Sequence, residues 1–203
     1  MTADAGREAS VRSRAYSVLE LLVGLSLVTL LCGVGMPALL AARDDLRADG
    51  AADLLVSQFH GARLEALRRN AQVAVRFEAD GADYLLAVYV DGNGNGVRAA
   101  DIAGGADTLL RPRERLSQHF PGMRFGFEAG VPDIDGVSSA ENPDPIRFGR
   151  SRMASFSPSG TSSSGTVYMC GDGHRQLAVR VLGGTGRIRS LLFNAGTGTW
   201  EAR

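Results

Sequence analysis

The sequence of 203 residues contains no lysine, two cysteines, three histidines and few aromatic residues. The cysteines, Cys32 and Cys170, do not make a disulfide framework of the kind that holds small secreted folds together. The histidines lack the spacing of a metal site, and residues 183–186 lack the lysine that a phosphate-binding loop requires. Residues 157–164 are rich in serine but contain no nucleophile elbow. The sequence therefore indicates a protein that is not an enzyme, a membrane-anchored hydrolase being the alternative.

Charge is absent from residues 21–42, a run of 22 residues. As a helix this run is about 33 Å long, enough to cross the roughly 30 Å hydrocarbon core of a bilayer. Glu20 lies at the start of the run, and a carboxylate in such a helix costs about 2.5–3.5 kcal/mol unless it has a partner or a function. The run therefore predicts a membrane helix whose acid needs a cation.

The charges that flank the apolar run predict its orientation. Arg7, Arg12 and Arg14 precede the run, whereas Asp44 and Asp45 follow it. Basic flanks stay on the cytoplasmic side of a membrane. We therefore expect a cytoplasmic N-terminus and a single domain on the outer side.

Two other interpretations of the N-terminal segment fit it less well. A secretory signal has a shorter hydrophobic stretch and a small-x-small cleavage site, whereas Leu40 occupies a small-residue position of the best site here. A plain signal anchor explains the segment except for Glu20 and for the position of Pro37. We therefore favour a specialised anchor.

Residues 15–20, with the sequence Ala-Tyr-Ser-Val-Leu-Glu, resemble the cleavage motif of type IV prepilins. That motif has a small residue, usually Gly, then an aromatic residue that is methylated after cleavage, and Glu at the fifth mature position. Ala15 and Tyr16 replace the usual Gly and Phe. The resemblance implies cleavage between them by prepilin peptidase, N-methylation of Tyr16, and pairing of the new ammonium with Glu20 of a neighbouring subunit. Pro37 lies where pilin helices commonly carry a proline, and it favours a kink or local melting of the helix.

The region beyond the apolar run predicts an α+β domain. An amphipathic helix is expected within residues 46–70, continuing the membrane helix, because four apolar residues recur at helical spacing, namely Leu55, Phe59, Ala62 and Ala66. Apolar alternation in residues 72–78 and 84–90, around Asp80 and Gly81, predicts a β-hairpin. Further strands are expected at residues 109–116, 123–127, 146–148, 166–170, 176–182 and 187–193. We expect a long membrane helix that continues into an amphipathic helix packed on antiparallel sheets.

The C-terminal part is similar to the GspH/FimT-type minor pseudopilins. The likeness depends on a serine-proline turn at residues 156–160, a strand that ends at Cys170 and a Gly-Arg strand at residues 186–189. The resemblance implies a pilin-like fold in three parts: a cleaved leader at residues 1–15, a transmembrane assembly helix at 16–42 and a periplasmic globular domain at 43–203.

This family implies a structural subunit of a type II secretion pseudopilus, anchored in the inner membrane and supporting export of folded proteins. Its expected partners are other major and minor pseudopilins, prepilin peptidase, the inner-membrane assembly platform and the lipid bilayer. The alternative is a DNA-binding minor pilin of a type IV pilus, since DNA-uptake members carry a similar Gly-Arg-x-Arg. Strand alternation would place Arg187 and Arg189 on one face, where both could contact phosphates. A pair of exposed arginines is, however, more often simply solvated.

Charge is distributed unevenly beyond the apolar run. Residues 43–146 carry 11 arginines against 17 acidic residues, a net charge of −6, whereas residues 147–203 carry 8 arginines against 2, a net charge of +6. Such asymmetry indicates either a surface for acidic partners or two halves that pair across one fold. The sequence leaves both interpretations open.

Residues 91–96 resemble the start of a calcium loop, with Asp91, Asn93 and Asn95 at ligand positions. The twelfth position is Ile102, so the acid that completes such a site is missing. Runs of Asp, Asn and Gly are also ordinary turn sequences. We therefore expect a plain loop, with no metal and no cofactor.

Overall fold

The computed structural model describes residues 17–81 and 83–203. The chain divides between Leu40 and Ala41 into two compact units. The helices and strands are, in chain order, α1 (Val18–Arg69), β1 (Val73–Asp80), β2 (Asp83–Val90), α2 (Ala99–Gly104), β3 (Thr108–Arg115), α3 (Leu116–His119), β4 (Met123–Phe125), β5 (Ile146–Arg147), β6 (Met153–Phe156), β7 (Gly165–Gly171), β8 (Gln176–Leu182), β9 (Arg187–Asn194) and β10 (Thr199–Ala202). One long helix followed by antiparallel strands is the α+β, pilin-like arrangement that the sequence predicts.

The helix α1 has local signals at both ends. The Ser17 hydroxyl accepts the N–H of Leu19 at the start of the helix, over 3.3 Å. Asn70 adopts a left-handed φ of 50°, and the N–H of Ala71 donates to the carbonyl of Ala66 over 3.3 Å, which closes the C-terminus. Among the described residues, α1 is the one helix that is long and apolar enough to cross a membrane. The predicted continuity of the apolar run with the amphipathic helix is confirmed.

The second half of α1 buries the stripe that the sequence predicts. Leu55, Phe59 and Ala66 are fully buried. The ring of Phe59 lies 6.0 Å, centroid to centroid, from the rings of Phe148 and Phe156. Full burial of one such side chain stabilises a fold by about 1.5–3 kcal/mol. The main hydrophobic core takes residues from α1 and from both sheets, so this half of the helix is part of the domain.

The strands form two antiparallel sheets. The first has the order β3-β2-β1-β6, and the second has the order β10-β9-β8-β7-β4, with β5 also paired to β7. The predicted hairpin is confirmed, because β1 and β2 pair from Val73 with Val90 to Asp80 with Asp83. A smaller cluster of buried residues, including Ala74 and Tyr89, covers the opposite face of the first sheet.

The structure differs from the sequence-based expectation in its short elements. The strand β6 and the helices α2 and α3 were not predicted, because four to six residues carry too little periodicity. The strand predicted at residues 123–127 ends at Phe125. Phe127 leaves the strand and packs on Tyr168, with ring centroids 4.4 Å apart.

Candidate functional site

The predicted cleavage site, Ala15 and Tyr16, lies outside the described residues. Glu20 lies in the first turn of α1 and is exposed. A carboxylate in the first turn interacts favourably with the unpaired N–H groups of the helix start. The structure therefore places the acid at the beginning of the helix, as the sequence predicts.

The N-terminal unit presents an apolar surface along its helix, with Glu20 in the first turn. Leucine and valine side chains are exposed all around the helix, from Val18 at 73% to Leu40 at 49%. The hydroxyls of Ser26 and Thr29 donate to helix carbonyls over 2.8 Å and 2.7 Å, so neither needs a partner outside the helix. Apolar area exposed to water costs about 25 cal/mol per Å². This surface is therefore compatible with a single-pass membrane anchor.

Pro37 lies inside α1, and the helix continues through it without a break. A proline there removes one helix hydrogen bond. A side-chain carbon added at Gly33 or Gly35 would meet nothing within 4 Å, so the helix around the proline is not crowded. The predicted kink stays a prediction, whereas local melting is not seen.

Arg187 and Arg189 lie on β9, where they pair with Leu182 and Arg180 of β8. Both side chains are exposed, whereas Ile188 between them is partly buried and packs against the main core. The prediction that the two arginines share one face is therefore confirmed.

Gly186, the first residue of this Gly-Arg strand, is held against α1. Arg63 donates from Nη1 to its carbonyl oxygen over 3.1 Å. Gly186 has a left-handed φ of 60°, and a side-chain carbon there would lie 2.9 Å from the carbonyl oxygen of Gly160. Glycine alone fits both the backbone conformation and the close approach.

The arginines of residues 147–203, the C-terminal third, are largely neutralised by ion pairs within the fold. Five of the eight form ion pairs, all with acids from residues 43–146, and these five are Arg147, Arg152, Arg175, Arg180 and Arg203. The interpretation that the two halves pair across one fold is confirmed for them. Arg150, Arg187 and Arg189 have no acidic partner within residues 17–81 and 83–203. The positive charge of this third that lacks an acidic partner therefore lies on β9, at Arg187 and Arg189, and in the turn that contains Arg150.

The loop at residues 91–96 is organised by its own side chains. The Asp91 carboxylate accepts the N–H groups of Gly94 and Gly96 over 2.8 Å and 2.7 Å, and the Asn93 side chain accepts that of Asn95. These bonds hold the pKa of Asp91 below its ordinary value although burial acts to raise it. Within the described part of the chain, no three His, Cys, Asp or Glu side chains lie close enough to hold a metal ion.

Sequence reasoning missed a groove between α1 and β9, which has a volume of about 430 Å³. It is lined by Asp53 and Val56 from α1 and by Ile188 and its neighbours from β9. The groove is open because β10 covers only half of β9. Predicting it would have required the register of the hairpin formed by these two strands. No signal in the sequence alone gives that register.

A long, exposed apolar helix that continues into a helix packed on antiparallel sheets defines a pilin-like protein. The family model described as type II transport protein GspH matches residues 51–185. The chain therefore belongs to the GspH family, whose members are structural subunits of pilin-like assemblies. The predicted resemblance to the minor pseudopilins is confirmed at the level of this family.

Among curated proteins, the chain is similar to the pilin-like protein PilA1 of Thermus thermophilus. The two are 43% identical over 83 residues, which cover 40% of this chain and 51% of PilA1. The chain thus spans about half the length of this relative. No solved structure matches the chain.

Proposed function

We propose that the protein is a minor pseudopilin of a type II secretion system, inserted into the pseudopilus through its N-terminal helix. The observation that supports this most directly is the apolar surface between Val18 and Leu40, which has a single carboxylate, Glu20, in its first turn. A helix of this kind is anchored in the inner membrane before assembly, with the folded domain in the periplasm. In a filament it packs against the same helices of neighbouring subunits.

The charge of Glu20 determines how the subunit enters the filament. Cleavage between Ala15 and Tyr16 creates an ammonium group, and methylation leaves its charge in place. Pairing that ammonium with Glu20 of a neighbour neutralises both groups in an apolar bundle, whereas a subunit in the wrong register leaves a buried acid without a partner. Register is therefore specified by one ion pair, and the assembled helices support export of folded proteins.

The proposal is tested by the N-terminal sequence of the mature protein and by Glu20→Val. We expect mature chains to begin with methylated Tyr16, in wild type and variant alike, because the peptidase acts before assembly. The variant is expected to lose co-purification with the other pseudopilins of the host. Glu141→Val, which removes an exposed acid of the folded domain, serves as the control and is expected to assemble normally.

Two results would contradict the proposal. Mature chains that begin elsewhere than Tyr16 would exclude processing as a prepilin. Normal co-purification of Glu20→Val with its partner pseudopilins would exclude the pairing that specifies register.

A second candidate function is that of a DNA-binding minor pilin, supported by the exposure of Arg187 and Arg189 on one face of β9. With two phosphate contacts, the logarithm of the DNA-binding constant would fall with the logarithm of the salt concentration with a slope of about −1.8. The affinity for duplex DNA, measured by gel retardation, should then fall about tenfold between 50 mM and 200 mM salt. Arg187→Gln/Arg189→Gln should abolish this dependence, whereas Arg98→Gln/Arg150→Gln should preserve it. Absence of salt-sensitive binding by the wild type excludes this function.

A further inference from the structure

The strand β9 is longer than the edge strand that covers it. β10 pairs with β9 only from Asn194 to Leu191. Residues 187–190 of β9 therefore have β8 on one side, and on the other side no strand among the described residues. An uncovered strand edge presents N–H and C=O groups that can pair with another chain.

One contact shows which main-chain groups point to the uncovered edge. Arg203 donates its main-chain N–H to the carbonyl of Ser190 over 3.2 Å. Main-chain groups alternate between the two edges of a strand, so those of Ile188, two residues before Ser190 in β9, point the same way. Neither its N–H nor its C=O has a partner there within residues 17–81 and 83–203.

The groove between α1 and β9 runs along this edge. Val56 and Ile188, both partly buried against the main core, give it an apolar floor. At one end Arg203 pairs with Asp53 over 3.2 Å, so the carboxylate in the groove is already neutralised. An extended chain could therefore lie in the groove with an apolar side chain directed at its floor.

The rim of the groove is basic. Arg187 and Arg189 flank Ile188, and strand alternation directs both to the face opposite the apolar floor. A strand added beside β9 would place its own side chains in the same alternation, with directly opposite pairs about 4.5–5.5 Å apart. Acidic side chains on either side of an apolar one would then face the two arginines.

We propose that the uncovered edge of β9 binds a short extended segment of a protein partner by strand addition. The segment has an apolar residue over Val56 and Ile188, with an acidic residue on each side facing Arg187 and Arg189. A peptide supplies both the donor and the acceptor that Ile188 needs, whereas a phosphate backbone supplies acceptors only. The inference depends on the groove and holds whichever secretion or pilus system the protein serves.

The test uses the full chain in detergent and a fluorescent peptide that alternates glutamate and valine. We expect the peptide to bind and the hydrogen exchange of the Ile188 amide to slow when it does. A peptide with lysine in place of glutamate should not bind. A peptide N-methylated at its valines should bind about tenfold more weakly, because it cannot donate to the Ile188 carbonyl.

Protein variants separate the charge of the rim from charge in general. Arg187→Gln/Arg189→Gln should weaken binding of the acidic peptide about tenfold. Arg98→Gln/Arg150→Gln removes the same charge from exposed arginines elsewhere and should bind normally. The proposal is overturned if the N-methylated peptide binds as well as the unmodified one, or if both double variants weaken equally. Duplex DNA that binds more tightly than the peptide, and loses binding in the first variant alone, would assign the surface to nucleic acid instead.

Discussion

The Asp133 carboxylate lies 3.3 Å from the guanidinium of Arg147, and Asp133 is only 4% exposed. The other oxygen of the carboxylate accepts the N–H groups of Asp135 and Val137. Arg147 also lies over the ring of Tyr168, 5.8 Å from its centroid. The pair therefore fastens the long segment between β4 and β5 to the outer face of the second sheet.

Removing the charge of Asp133 should destabilise the folded domain. Asp133→Asn leaves Arg147 without its buried partner, and breaking a buried pair costs about 3–5 kcal/mol. Asp135→Asn is the matched control, because the Asp135 side chain is 66% exposed and its pair with Arg180 is worth less than about 1 kcal/mol. Denaturant unfolding of the two variants measures the difference. Equal stabilities would show that the buried pair does not hold the segment.

The turn before β9 should be sensitive to substitution at one glycine. Gly186→Ala forces a left-handed φ on alanine and places its side-chain carbon 3.0 Å from Cζ of Arg63. We expect a loss of about 1–3 kcal/mol in the free energy of unfolding, measured by denaturant titration. Gly184→Ala, in the same turn, meets nothing within 4 Å and should change stability by less than about 0.5 kcal/mol. A larger loss at Gly184 would contradict this account of the turn.

The sequence predicted the elements whose residues carry their own periodicity. Leu55 and Phe59 repeat at helical spacing, and the hairpin around Gly81 alternates on both sides of a turn. The strand β6 was not predicted, because its stability depends on pairing with β1, about 80 residues earlier in the chain. Long-range pairing of this kind leaves no local pattern in four residues.

The candidate surface on β9 was predictable in part. Alternation was enough to place Arg187 and Arg189 on one face. Their lack of acidic partners was not predictable, because Arg180 and Arg203 are equally basic in sequence and only the fold brings them to Asp135 and Asp53. The open edge at Ile188 required the register of β10, which sequence alone does not give.

Calcium should leave the stability of the domain unchanged. The oxygens of Asp91 already accept backbone N–H groups, and the Asn93 side-chain oxygen accepts the N–H of Asn95. Calcium would have to break these bonds without the bidentate acid that normally completes its site. Thermal unfolding in millimolar calcium and in chelator should give the same Tm. A rise of several degrees that depends on calcium concentration would demonstrate a site.

The same loop should contribute stability that depends on pH. Burial acts to raise the pKa of Asp91, but hydrogen bonds from Gly96, Gly94 and Asn93 hold it below its ordinary value of 3.8. A carboxyl group whose pKa is lower in the folded state stabilises the fold above its unfolded pKa and loses that effect as the pH falls through its folded pKa. Asp91→Asn should therefore destabilise the domain by about 1 kcal/mol at pH 7, and the difference from wild type should shrink below about pH 4.

A neutral neighbour provides the control for this pH dependence. Asn93→Ala also removes an acceptor from the loop, the one that bonds the N–H of Asn95 over 3.2 Å, but it removes no titrating group. Its effect on the free energy of unfolding should therefore be the same at pH 7 and at pH 3. If the loss caused by Asp91→Asn were also constant over that range, the carboxylate would not be the group that organises the loop. If it shrinks as expected, the residues that resemble a calcium loop act as a turn held by one ionised side chain.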